Sequence, residues 1–258
     1  MNDKPRYAIV RQPADSFIRA VSSHKERDKI DPVKARRQFE NYRYVLEDLV
    51  GEIVELPKQE LYPDSCFTQD MAVVVDGHAL IARTGTPTRR GEEKSITKAI
   101  TPLVESVTTI PPPGTLEGGD VLRLGRRLLV GQSWRTTASA IDFLAEWAKR
   151  LGYKVVPVPV PAGVLHLGTG VSVINEGLVM GLPQMLQHEA FDHVSTLPVH
   201  DDPLAACNVL TIDHHVIASG EYKTHDELEK EGCTVHRVDL IDFIRADAGP
   251  TCLALLID

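Results

Sequence analysis

Residues 71–82 read Met71-Ala72-Val73-Val74-Val75-Asp76-Gly77-His78-Ala79-Leu80-Ile81-Ala82. Two apolar runs flank Asp76-Gly77, a pair that readily supplies the positive φ angles of a tight hairpin turn. A helical pattern from about Gly91 to Val104 follows, and then a short strand near Val107 to Ile110. The unit is therefore hairpin, helix, strand.

Moving outward, the same order recurs. Val121 to Leu124 and Leu128 to Val130 flank a Gly125 turn, followed by an amphipathic helix from Thr136 to Leu151 and the strand Lys154 to Val158. Val171 to Ile174 and Leu178 to Met180 flank Asn175-Glu176-Gly177, with a short helix after Pro183 and a strand near His193 to Thr196. Val209 to Ile212 and Val216 to Ala218 lead to a helix from Thr224 to Glu231 and the strand Thr234 to Val238.

The last strand, Cys252 to Ile257, has no helix after it, and the missing half lies at the other end of the chain. There, Tyr7 to Arg11 is a strand and Asp31 to Val50 a helix, with Asp31 as N-cap and Pro32 at its first position; Ile53 to Leu56 is a strand. Pairing the two ends completes a fifth copy. Repeats of this kind whose ends join predict an α/β fold of pseudo-five-fold symmetry, a ring of units with function near its axis, and one domain over residues 1–258.

Composition narrows the partners. Of 258 residues, 43% are hydrophobic and 25% charged, ordinary for a globular chain. The net charge of −8, with only short basic runs such as Arg89-Arg90 and Arg126-Arg127, offers no surface for tracking phosphates, so nucleic acid is not expected as a partner. Met1 to Arg6 opens no apolar run and no later stretch is long enough to span a bilayer, so a cytoplasmic protein without a membrane partner is expected. Four scattered cysteines without a CxxC pair point to reduced thiols rather than a disulfide framework or structural zinc. Monomer and homodimer are both compatible with the pattern.

Four segments bring polar residues to strand edges where a core would not want them. They are Tyr62 to Asp70, Thr115-Leu116-Glu117-Gly118-Gly119-Asp120, Val164 to Gly170 around the lone His166, and Ala248-Gly249-Pro250-Thr251-Cys252. Taken singly, the carboxylates read as solvated loop groups, His166 as a core histidine and Cys252 as a small hydrophobe. Together they supply a thiol, an imidazole to activate it and acids to orient the imidazole. Each opens a different repeat, so Cys252, His166, Glu117, Asp64 and Asp70 could converge on the axis.

In this order and spacing, Leu116-Glu117-Gly118-Gly119-Asp120-Val121, Val130 to Thr136, Leu165-His166-Leu167, Asp64 to Asp70 and the late Cys252 resemble the dimethylarginine dimethylaminohydrolases of the guanidine-modifying (amidinotransferase) superfamily. The resemblance covers nearly the whole chain. It implies a five-bladed α/β propeller, and hydrolysis of dimethylarginine to citrulline and dimethylamine through a covalent thiouronium intermediate on Cys252. It further implies that His166 is the acid and base, Glu117 its orienting group, and Asp70 the guanidinium-binding carboxylate. By the same likeness, Asp64 would bind the α-amino group and Arg89 and Arg135 the α-carboxylate, with spacing alone leaving Arg89 and Arg90 as alternatives. Three departures bear on substrate choice: Gln69 where many relatives carry a second acid, Gly168 in place of a lysine, and Phe17 near a lid position often occupied by leucine.

The small-molecule partner expected is thus a guanidine, with no cofactor and no metal. Two rival enzymes remain: an arginine-deiminase-like hydrolase of another guanidine, and a metal enzyme built on His214-His215 with His200, Asp201 or Asp202. For the latter, His214 and His215 are expected in a hairpin turn with side chains pointing apart. A non-catalytic binding protein on the same propeller is the third reading, against which stands the retention of cysteine, histidine and glutamate together.

Overall fold

The Asp76-Gly77 hairpin forms with Val75 paired to His78, and Asp76 and Gly77 take φ angles of 47° and 73°. The computed structural model describes residues 5–200 and 203–258. Strand β1 (Tyr7–Arg11) runs parallel to β2 (Glu52–Leu56), with helix α1 (Pro32–Leu49) between them. Asp31 caps α1 by accepting the backbone N–H groups of Val33 and Lys34. The following unit comprises β3 (Ala72–Val75), β4 (His78–Ile81), α2 (Glu93–Ile100) and β5 (Ser106–Thr109). It is followed by β6 (Val121–Leu124), β7 (Arg127–Gln132), α3 (Ala138–Arg150) and β8 (Lys154–Pro159). A single helical turn, α4 (Leu167–Gly170), leads into β9 (Val171–Asn175), β10 (Leu178–Gly181), α5 (Pro183–Leu186) and β11 (Ser195–Pro198). The next unit is β12 (Leu210–Ile212), β13 (His215–Ser219), α6 (Lys223–Lys230) and β14 (Thr234–Val238), and after α7 (Ile241–Ile244) comes β15 (Ala254–Ile257).

These strands form five three-stranded sheets. In each, the middle strand is antiparallel to one neighbour and parallel to the other. The first sheet joins the chain ends, with β15 antiparallel to β1 in the register Tyr7 to Ile257 and Val10 to Ala254. The middle strands are the apolar, buried ones, as in Ala8-Ile9-Val10 and Leu128-Leu129-Val130, whereas the outer strands β2, β5, β8, β11 and β14 are partly exposed. A middle strand covered on both faces reads as a continuous apolar run, which is why those segments stand out in the sequence. Every pair of consecutive sheets shares a core cluster, the last and first included; Ile212, Ile217 and Val238 pack with Val10 and with Phe39, Tyr42 and Leu46 of α1.

Some boundaries differ from expectation. The final strand starts at Ala254 rather than Cys252, because Pro250–Leu253 wind into a 3-10 turn first. Helix α2 stops at Ile100, where Pro102 cannot continue it and Thr101–Leu103 tighten into a 3-10 turn. Among the described residues, no helix is long and apolar enough to cross a membrane.

A short helical turn precedes the first strand of every hairpin: Thr68–Met71, Gly118–Asp120, Leu167–Gly170, Leu204–Cys207 and Pro250–Leu253. The Thr68–Met71 turn touches those at Gly118–Asp120 and Pro250–Leu253, and Leu167–Gly170 touches those at Gly118–Asp120 and Leu204–Cys207, so the polar residues they carry are gathered in one place.

Candidate active site

Glu117 sits just before the Gly118–Asp120 turn and is wholly buried. Its Oε2 lies 2.8 Å from His166 Nε2, Oε1 accepts the Gly85 N–H at 3.0 Å, and Arg135 Nη1 reaches Oε2 at 2.9 Å. Burial alone would raise this carboxyl, but the His166 hydrogen bond and the surrounding cations hold it at about 2. His166 responds in the opposite sense: burial would lower it, yet the Asp70 charge and the Glu117 hydrogen bond bring it to about 9. At neutral pH the pair is an imidazolium held on a carboxylate, with Nδ1 left to face Asp70 Oδ1 at 3.9 Å.

The paired glycines make this approach possible. A Cβ at Gly119 would stand 2.7 Å from His166 Nδ1 and 2.8 Å from Asp70 Oδ1, and one at Gly118 would stand 2.1 Å from the Gln69 carbonyl oxygen. The Gly119 N–H also donates to Asp70 Oδ1 at 3.2 Å. Asp120, the last residue of the motif, accepts the Leu167 N–H at 3.0 Å and the hydroxyls of Ser133 and Thr136, tying the His166 segment to the turn.

Asp70 Oδ2 accepts a hydrogen bond from Arg89 Nη1 at 2.6 Å. The remaining Arg89 donors go to Glu92 and to the carbonyls of Asp64 and Phe67. Burial disfavours the Arg89 cation, but Glu92 and Asp70 outweigh it and raise the group well above its ordinary value. Burial lifts the Glu92 carboxyl to about 7 against the pull of Arg89. Arg90, the alternative to Arg89, is exposed and donates Nε to the Thr84 carbonyl.

Asp64 is buried and receives the Val21 N–H at 3.0 Å; burial raises its carboxyl, partly offset by Arg89. Ser23 donates its N–H and hydroxyl to Asp247, which adopts a left-handed φ of 56°. Residues 20–24 are thereby held over the site by two carboxylates.

Cys252 completes the group. Burial, reinforced by the Asp70 charge, pushes its thiol up to about 11, against the hydrogen bonds of the Gly249 amide and the Thr251 hydroxyl. Cys252, His166, Asp70, Asp64, Arg89 and Arg135 line one chamber of about 20 Å³, scarcely room for a water. Beside it lies a mostly apolar cleft of about 820 Å³ that shares Val21, Arg135, Leu165, Asp247 and Ala248 as its border. The cleft adjoins the chamber along this border, and anything larger than a water must widen the chamber to enter it.

Two expected site residues lie elsewhere. Phe17 is wholly buried, packed edge-on to Phe67 with centroids 5.9 Å apart and 5.3 Å from Phe243, so it backs the wall while Val21 of the same loop meets the chamber. Gln69 precedes Asp70 in the same turn but is not among the residues that line the chamber, and its Oε1 is buried without a hydrogen-bond partner. Glu92, Asp247 and Asn208 escaped the sequence reading, and Asp120 was read there as part of its motif without a role of its own. Glu92, three residues after Arg89, and Asp120, closing the Glu-Gly-Gly-Asp motif, had a local signal; Asn208 had none.

Among the described residues, Asp70, Glu117 and His166 bring ligand atoms within 4.8 Å of one another, as a metal site would. The two carboxylates already carry guanidinium partners, Arg89 and Arg135, so the cluster is matched to planar cations. The histidines of the rival metal reading are not in it. Contrary to expectation, the His214 and His215 rings lie together, tilted by 37° with centroids 4.1 Å apart; His215 Nδ1 contacts His236 Nε2 at 3.0 Å, and His214 bonds to Asp213. Asp201 and Asp202 lie outside the described residues.

Comparison with known proteins places this geometry in context. Residues 60–204 match the model of the arginine deiminase family. The chain is 33% identical over 249 residues to the N(G),N(G)-dimethylarginine dimethylaminohydrolase of Streptomyces coelicolor, covering 96% of this chain and 95% of the relative. It is 27% identical over 252 residues to the enzyme of the same name from Pseudomonas aeruginosa, covering 97% and 98%. Among solved structures, a mutant of the Pseudomonas aeruginosa protein complexed with citrulline superposes with a TM-score of 0.95 at 26% identity, covering 99% of this chain and all, 100%, of that one.

Proposed function

The chain belongs to the dimethylarginine dimethylaminohydrolase family, within the arginine deiminase family, and on that premise we propose that it hydrolyses dimethylarginine to citrulline and dimethylamine. The observation that carries this reading is a thiol and an imidazolium facing one chamber whose Asp70 carboxylate already holds a guanidinium group, that of Arg89.

In the proposed reaction the Cys252 thiol gives up its proton to solvent as the cationic substrate binds, its sulfur attacks the guanidinium carbon, and His166 Nδ1 gives its proton to the departing dimethylamine, the carbon–nitrogen bond breaking. The neutral imidazole then takes a proton from water, whose oxygen attacks the thiouronium carbon; the carbon–sulfur bond breaks, releasing citrulline and regenerating the thiol. Glu117 holds the imidazole by Nε2 throughout, leaving Nδ1 for the reacting groups. A cationic substrate against Asp70 offsets the negative charge that keeps the thiol protonated, so binding itself favours the thiolate.

At the other end of the substrate, Arg135 is suited to the α-carboxylate because its Nε is buried with no partner. Arg89 would join it by exchanging one of its acidic partners. Asp64, at the foot of the 20–24 loop, is suited to the α-amino group. The five shared cores support the further proposal that residues 1–258 act as one catalytic domain, a five-bladed α/β propeller. Four free thiols support a reducing, cytoplasmic compartment.

The match of residues 60–204 to the arginine deiminase model favours plain arginine as the second candidate substrate. Amine release across dimethylarginine, monomethylarginine and arginine separates the two. Faster dimethylamine release from dimethylarginine is the expected result, and faster ammonia release from arginine would replace it. Cys252→Ser should abolish turnover of every guanidine, and full turnover by that variant would end the thiol mechanism.

A further inference from the structure

Asn208 lies beyond the Leu204–Cys207 turn and is buried; it borders the larger cleft but is not among the residues that line the inner chamber. Its side chain joins the two halves of the catalytic pair. Nδ2 donates to the Gly168 carbonyl, two residues after His166, at 3.0 Å. Oδ1 accepts both the Thr251 N–H at 3.1 Å and the Thr251 hydroxyl at 3.0 Å. Because the Gly168 carbonyl requires a donor and the Thr251 N–H an acceptor, these bonds settle which way the amide faces.

Thr251 directly precedes the nucleophile. With its hydroxyl proton given to Asn208, its oxygen lone pairs are free toward the Cys252 sulfur, 3.9 Å from Thr251 Oγ1 and within the longer reach of a sulfur hydrogen bond. The same segment is held from below by Tyr42, whose hydroxyl donates to the Pro250 carbonyl at 2.9 Å, and by the Cys252 N–H on the Gly249 carbonyl. It cannot drift on the Asn208 side either, since a Cβ at Gly249 would stand 2.5 Å from Asn208 Oδ1.

We propose that Asn208 and Thr251 are positioning residues for the reaction assigned above, an inference that rests on that reading. Asn208 fixes the Thr251 hydroxyl, which accepts from the resting Cys252 thiol and rotates to donate to the sulfur once it is a thiolate. No bond to carbon is made or broken at either residue. The proton lost by the thiol passes to solvent through the adjoining cleft as the cationic substrate binds, and Thr251 supplies a donor to the anion that remains. The link to Gly168 keeps this donor in register with His166.

The test uses Thr251→Val, nearly the same shape without the hydroxyl, Thr251→Ser, which restores it, and Asn208→Ala. Steady-state kinetics on the preferred guanidine are paired with the pH dependence of Cys252 alkylation by iodoacetamide, after thermal unfolding has verified that each variant is folded. Thr251→Val should lower kcat about tenfold with KM changed less than about twofold, and move the alkylation profile to higher pH. Thr251→Ser should restore both, and Asn208→Ala should reproduce the alkaline displacement. If Asn208→Ala does not fold, the two Thr251 variants decide the matter alone. An unchanged alkylation profile in Thr251→Val, or a Thr251→Ser variant as impaired as Thr251→Val, would overturn the proposal. Alkylation requires no substrate, so its profile judges the positioning role independently of which guanidine the enzyme turns over.

Discussion

At Cys252, burial and the Asp70 carboxylate act in the same direction on the thiol, while at His166 that same carboxylate acts with Glu117 to retain the proton. Burial with the Asp70 charge thus keeps the thiol protonated, and the same charge with Glu117 keeps the imidazole protonated, until a cation arrives. Neutral iodoacetamide should therefore label Cys252 slowly at pH 7 and faster as pH rises, whereas a cationic chloroacetamidine should label it at least about tenfold faster at pH 7, corresponding to about one unit in the thiol's pKa. Equal rates at pH 7, measured by mass spectrometry of the modified peptide, would remove the role given to substrate charge. The same groups link stability to pH. His166, raised from 6.5 to about 9, supports the fold fully below pH 6.5 and ceases to as pH climbs through 9. Glu117, depressed from 4.5 to about 2, supports it above pH 4.5 and ceases to as pH falls through 2. Melting temperatures of the wild type should consequently decline between pH 6.5 and 9 more steeply than those of His166→Gln.

Individual elements were legible where their causes are local. The Asp76-Gly77 turn, and the Asp31 cap with Pro32 behind it, act over two to four residues and form as read. Asp31→Ala should cost about 1 kcal/mol in urea denaturation, the ordinary loss for an N-cap whose two backbone donors go unmet. The 20–24 loop was not legible, because its anchors are distant in sequence: Asp64 holds Val21 and Asp247 holds Ser23. Asp247→Ala should free this loop and raise KM by about tenfold, the loss expected of one charged hydrogen bond, with a smaller effect on kcat. An unaltered KM would separate the loop from substrate retention.

Across the whole molecule, the pairing of β15 with β1 brings Cys252 to the other catalytic groups, since the nucleophile stands two residues ahead of that strand. Ile257, wholly buried against the second unit's core, is part of that closure, and Ile257→Ala should destabilise the protein by about 2–5 kcal/mol. Reduced kcat in the folded fraction would tie the joint to catalysis as well as to stability. By itself the sequence determined the hairpins, the helices, the joining of the two ends and the chemical types of the central groups, because turn chemistry and apolar periodicity are short-range and the motif residues are adjacent in the chain. Only the tertiary structure decided that Arg89 rather than Arg90 is buried, that Phe17 backs the wall while Val21 meets the chamber, that Gln69 is not part of its lining, and that Asn208 bridges Gly168 and Thr251. A side chain's direction follows from which neighbours fill the space around it, and those neighbours come from units tens or hundreds of residues apart.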